Sequence, residues 1–164
     1  MPEGDVVAVT VSVPVSLAQA FELFTRDIDQ WWQRGMRFRN GGSGASRMVL
    51  EEGEGGGFAE LLGEGADVQR VEIGRITAWN PPHAFAMRWR NSNFAPDEHT
   101  QLEVSFTDVG RSTHVTVRHQ GRAQLRPDHP ARHGRQGPDF TRWHGMWWAD
   151  VLRPFLARCT DANR

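Results

Sequence analysis

Cysteine is nearly absent from this chain of 164 residues, with Cys159 its single copy. An intrachain disulfide and a cysteine-rich zinc cage are excluded, and a reducing compartment suits such usage. An excess of one charge is also lacking. The 19 Lys and Arg against 20 Asp and Glu leave a formal net charge of -1, so no bulk field recruits phosphate backbones or anionic membranes. No nucleic-acid or membrane partner is expected. Long apolar runs are missing, and the opening MPEGDVVAVTVSV has acidic residues and alternation where a signal peptide needs a basic start and an unbroken apolar stretch. The expectation is a soluble, cytoplasmic protein. No internal repeat is visible, and no triad, paired-carboxylate site or P-loop. GGSG at 41–44 and GEGGG at 53–57 lack the lysine and the strand-to-helix context of a phosphate cradle, and read as turns.

What is present suits one domain over residues 1–164, with its core over about 6–158; such a length buries a real core without disulfide or metal. Val7, Val9, Val11 and Val13 alternate as a half-buried strand should, ending at Pro14. Ser16 with Gln19 makes a capping-box pattern, after which Leu17, Ala20, Phe21 and Phe24 share one helical face. Asp27 is the candidate cap of a second short helix leading into Trp31 and Trp32. The Gly-, Arg- and Asn-rich segment 34–46 reads as a mobile loop. From Arg47 to Gln120 the spacing predicts an antiparallel meander with strands at 47–51, 57–62, 68–79, 84–90, 100–106 and 113–120. Gly74 inside VEIGRITAW predicts a bulge that turns Val71, Ile73 and Ile76 inward. Residues 122–138 form a flexible surface connection.

The stretch FTRWHGMWWADVLRPFLARC, 140–159, predicts a long helix with Asp139 as its N-cap and a kink at Pro154. Phe140, Trp143, His144, Trp147, Trp148, Val151, Leu152, Phe155 and Cys159 spread over about half its circumference. That arc suits a helix gripped on both flanks by a concave sheet. His144 falls within the arc, and His119 alternates with Val115 and Val117 on an inward strand face. A buried imidazole must find a partner, and a core histidine satisfied by hydrogen bonding competes with a ligand contact or an acid-base role. His129 and His133 in HPARH have a helical metal-ligand spacing, but Pro130 between them favours an exposed loop, and neither metal nor cofactor is called for.

The motifs VSVPVSLAQAFELFT followed by WW, then GRITAWNPPHAFAMRW, LEVSFTDVGRSTHVTVRHQG and GMWWADVLRPFL resemble those of the activator of heat-shock protein 90 ATPase homologue family. That family is a branch of the START-like (SRPBCC) helix-grip superfamily, and the resemblance covers about 6–158. It implies an α+β fold in which a curved antiparallel sheet of about seven strands wraps a long C-terminal α-helix, with two short helices after the first strand. It also implies a hydrophobic cavity between sheet and helix. Trp143, His144, Trp147 and Val151 would then form a lid. Phe85, Met87, Trp89, Val104, Phe106, Val117 and His119 would form the floor, with Trp31, Trp32 and Phe38 near the mouth. No catalytic residue comes with the resemblance.

The leading expectation is binding of a small hydrophobic or aromatic molecule in that cavity. The alternatives are a cyclase- or hydrolase-like enzyme using His119 and His144, and a cochaperone-like interaction module with a chaperone partner. An interaction module should expose Trp31 or Trp32 in an apolar patch, whereas a binding protein should bury them. A homodimer through the sheet edge or the loop region is neither demanded nor excluded.

Overall fold

A computed structural model describes residues 6–42, 44–90, 94–95, 97–121, 125, 128–130, 133–135 and 137–164. Strand β1 (Val7–Val13) leads into helix α1 (Leu17–Thr25) and the short α2 (Ile28–Trp31). Strands β2 (Ser46–Leu50), β3 (Gly57–Leu62), β4 (Gln69–Asn80), β5 (Ala84–Trp89), β6 (Thr100–Asp108) and β7 (Thr113–Gln120) follow, and helix α3 (Gly137–Ala162) closes the chain. The sheet order is β1-β7-β6-β5-β4-β3-β2, every pair antiparallel. This is the expected seven-stranded sheet curled around one long helix.

Local chemistry accounts for most of these elements. The Ser16 side chain accepts from the Gln19 N–H at 3.2 Å and starts α1, as its capping pattern predicts. Asp27, by contrast, makes no side-chain cap on α2; its carboxylate instead accepts from Arg158 on α3 at 2.9 Å. Alternation holds along the central strands. Phe85, Met87 and Trp89 on β5, Leu102, Val104 and Phe106 on β6, and Val115, Val117 and His119 on β7 all point inward and are buried.

The irregularity expected at Gly74 exists. Phe58 pairs with Gly74 and Ala59 with Glu72, which leaves Ile73 as the extra residue. Ile73 and Ile76 are buried, while Val71 is half-buried. A Cβ at position 74 would overlap Met87 Sδ and sit 3.1 Å from the Arg88 carbonyl, so close approach favours glycine there and any larger residue obliges the buried Met87 to move.

Helix α3 begins at Gly137, and Asp139 lies inside its first turn paired with Arg135; the cap expected at Asp139 is therefore corrected. Pro154 sits within the helix. Its missing N–H leaves the Asp150 carbonyl without its helical donor, and Gln33 Nε2 donates to that oxygen at 3.4 Å. About half of the segment 122–138 lies outside the described residues. Within its described part, His129 is buried and bonded to Glu98 at 3.1 Å, which corrects the expectation of two exposed histidines there. Among the described residues, no helix is long and apolar enough to cross a membrane.

Candidate functional site

The inner face of α3 is Phe140, His144, Trp148, Val151, Leu152, Phe155 and Cys159. Side chains fill the space against it. Phe155 lies 5.1 Å from both Phe24 and Trp31, and Trp148 lies 5.7 Å from Trp89, ring centre to ring centre. Helix α1 covers the far end of the sheet, with Phe21 at 5.1 Å and Phe24 at 5.7 Å from Phe106, and both near Phe85. Phe85, Met87, Val104, Phe106, Val117 and Val151 are each at most 3% exposed. The structure places these expected floor and lid residues in closed core.

Trp31 turns away from the mouth. Its indole N–H faces the Leu23 and Phe24 carbonyls at 3.0 and 3.2 Å, at the end of α1. Trp143, expected in the lid, packs on His133 at 4.3 Å and on Phe140 at 6.1 Å.

A polar cluster occupies the middle of this packing. The Trp148 indole N–H faces two ring nitrogens, His119 Nδ1 at 3.2 Å and His144 Nε2 at 3.1 Å. A donor shared by two acceptors requires both nitrogens to be unprotonated. The His119 proton is thereby assigned to Nε2, where it faces Thr100 Oγ1 at 2.7 Å, and that hydroxyl donates to the Trp89 carbonyl at 3.3 Å. Both imidazoles are buried and engaged with Trp148. Trp148, absent from the expected site, is the residue that joins them.

The grip opens at one end, where loop 33–45 meets β4, β5 and α3. A cleft of about 220 Å³ lies there, walled by Trp32, Phe38, Ile73, Trp89 and Trp147, with Met36, Arg37, Arg39 and Asn40 completing its rim. Trp32 and Trp147 hold the loop through their indole N–H groups, which donate to the Phe38 carbonyl at 3.0 Å and the Arg37 carbonyl at 2.8 Å. Phe38 and Trp147 lie 5.8 Å apart at 32°, and Trp32 and Trp89 lie 6.3 Å apart at 32°. Trp89 and Trp147 line the cleft and also contact the histidine rings behind it, Trp89 with His119 at 5.4 Å and Trp147 with His144 at 6.4 Å.

Two buried charged groups fix this loop, whose Gly-, Arg- and Asn-rich composition predicts mobility. The Arg39 side chain donates to Asp29 Oδ1 and the Asp29 carbonyl, both at 3.0 Å, and to the Trp32 carbonyl at 2.7 Å. Burial pulls its guanidinium below the ordinary value, opposed by the hydrogen bond to Asp29. Glu60 on β3 is 0% exposed; its carboxylate accepts from the backbone N–H groups of Asn40 at 2.7 Å and Gly41 at 2.8 Å. One signal for this anchor lay in the sequence: Glu60 interrupts the apolar run GFAELL.

A larger groove, of about 450 Å³, runs beside β2 between Arg34, Ser46, Arg47, Leu61, Glu64 and Val68, with no aromatic ring among its described wall residues. Among the described residues, no group of three or more His, Cys, Asp or Glu is placed to hold a metal ion.

A curled antiparallel sheet closed by one long C-terminal helix defines the helix-grip class. Within it, the chain belongs to the family of Activator of Hsp90 ATPase homolog 1-like proteins, whose model matches residues 14–137. That span stops where α3 begins, so the tryptophan helix lies beyond it. Among solved structures, DynU16, described as a putative protein in the dynemicin biosynthetic locus, matches with 17% identity and a TM-score of 0.63 over 98% of this chain. The chain spans 48% of that protein's length. PFC0360w, an HSP90 activator from Plasmodium falciparum, matches with 16% identity and a TM-score of 0.59 over 91% of each chain. The Aha1 dimer from Colwellia psychrerythraea matches with 12% identity and a TM-score of 0.58 over 92% of each chain. No curated protein sequence matches.

Proposed function

We propose that this domain binds a small planar aromatic or apolar molecule in the cleft at the open end of the grip. The observation that carries the reading is the wall itself. Trp32, Phe38, Trp89 and Trp147 border one space of about 220 Å³, while a cavity of roughly 150 Å³ with apolar walls suffices for benzene. The indole N–H groups of Trp32 and Trp147 are already bonded to the loop. What these rings offer a ligand is therefore apolar area and stacking geometry, which supply affinity in small-molecule sites.

The alternatives have less support. A cochaperone-like role through an exposed tryptophan patch does not suit Trp31 and Trp32, which are 2% and 4% exposed. An acid-base role for His119 and His144 does not suit rings buried behind Trp89 and Trp147.

Calorimetric titration with a neutral two-ring probe, 2-naphthamide, tests the reading. Saturable binding that disappears in Trp147→Ala and weakens in Phe38→Ala, with circular dichroism unchanged, is expected. Binding unaffected by both substitutions, or no saturable binding of any aromatic probe, would overturn it.

A further inference from the structure

Resting on this reading of the cleft, we infer that its ligand is an aromatic acid, and that Arg37 receives the acid group. The wall has a charge bias. Among its described residues are two arginines and no aspartate or glutamate. Arg39 is not available to a ligand, since its side chain is fully buried and its nitrogens are held by Asp29, Trp32 and Ser46.

Arg37 is differently placed. Its side chain is 59% exposed and makes no hydrogen bond among the described residues. Its ion-pair partner among the described residues is Asp150, at a loose 3.5 Å. Asp150 has a closer partner in Arg153, at 2.7 Å, so Arg37 can turn toward a ligand without stranding a carboxylate. The guanidinium carbon lies 5.1 Å from the centre of the Phe38 ring, which is itself a cleft wall. The backbone beneath is fixed, because the Arg37 carbonyl accepts from Trp147.

A planar cation therefore stands on a fixed base at the rim of an aromatic-walled cleft, paired among the described residues with Asp150 at 3.5 Å. Guanidinium donors match a carboxylate in pairs, and such charge-assisted bonds outrank neutral ones. An aromatic frame laid against these wall rings with its acid group at the rim satisfies both features. A neutral aromatic would use only the first.

Paired calorimetric titrations of 2-naphthoate and 2-naphthamide, near-isosteres differing in charge, test this on the wild-type protein and on Arg37→Gln. The wild type should bind the acid about tenfold more tightly than the amide, as expected for one charge-assisted contact, and added salt should narrow the gap. Arg37→Gln should bring the two affinities together, with the acid losing far more affinity than the amide. Equal affinities in the wild type, or a preference that survives in Arg37→Gln, would overturn the acid assignment and leave the cleft as the binding site. Failure of both probes to bind would overturn the cleft reading as well.

Discussion

The indole N–H of Trp147 on α3 donates to the carbonyl of Arg37 in loop 33–45 at 2.8 Å, across 110 positions of sequence. This bond ties the loop to the helix at the cleft, where the Trp147 and Phe38 rings lie in contact 5.8 Å apart. Trp147→Phe keeps an aromatic wall but removes the donor. The expected result is a stability loss of about 1 kcal/mol in urea denaturation, the net worth of one such bond, with probe affinity falling several-fold. A variant that binds as well as the wild type would show that the tether is dispensable.

Arg39 is the most heavily engaged charged group near the cleft. Replacing it with methionine leaves the Asp29 carboxylate, which also accepts from the Met48 N–H at 2.8 Å, without its counter-charge, and frees the Trp32 carbonyl. The Asp29 side chain is 32% exposed, so water offsets part of the roughly 3–5 kcal/mol that breaking a fully buried pair costs, and a loss of about 2 kcal/mol is expected. Urea midpoints should show that loss in Arg39→Met, and a much smaller one in Arg34→Met, whose side chain is exposed.

Thr100 stands between His119 and the Trp89 carbonyl. Thr100→Val preserves shape and deletes the hydroxyl, leaving the His119 Nε2–H without its acceptor, and should cost about 1–3 kcal/mol. Nitrogen chemical shifts of the ring should report protonated Nε2 and unprotonated Nδ1 in the wild type. The opposite tautomer would break the assignment of Trp148 as a shared donor.

Burial pushes the Cys159 thiol up to about 12 from 9.0, with Arg158 opposing more weakly. The unfolded chain releases this proton near the ordinary value, while the native state keeps it. Stability from the neutral thiol is therefore complete below pH 9 and is lost as pH rises toward 12, by up to ~1.4 kcal/mol per pH unit. Cys159→Ala should be less stable at neutral pH, through the vacated core volume, but should lose less between about pH 7 and 10 than the wild type does. Parallel slopes in urea denaturation would contradict the burial effect.

Periodicity made much of the architecture legible. The Ser16 cap, the alternation of Phe85, Met87 and Trp89, the irregularity beside Gly74 and the long final helix are all local patterns, fixed by neighbours within a few residues. Depth was not legible. Whether Val104 and Phe106 floor a cavity or a packed core depends on Phe21 and Phe24 arriving from α1, a matter of helix placement that no single element encodes. The same holds for Trp148: a helical wheel places it near His144, but only the sheet brings His119 to the other side of its N–H. The anchoring of the loop by Glu60 was hidden for a related reason. Its partners lie about 20 positions earlier in a glycine-rich segment, where composition suggests freedom and tertiary contacts remove it.

A ligand seated in the cleft would meet only some of the tryptophans, and the chain offers seven indole N–H reporters. A two-dimensional nitrogen–proton spectrum recorded during titration with 2-naphthoate resolves them. The Trp32, Trp89 and Trp147 signals should move together to saturation, while those of Trp31, Trp79 and Trp143 stay in place and Trp148, one layer behind the wall, moves less. Shifts led by Trp148 would mean that the ligand enters the packed grip, and seven unmoved signals would mean that the cleft is not a binding site.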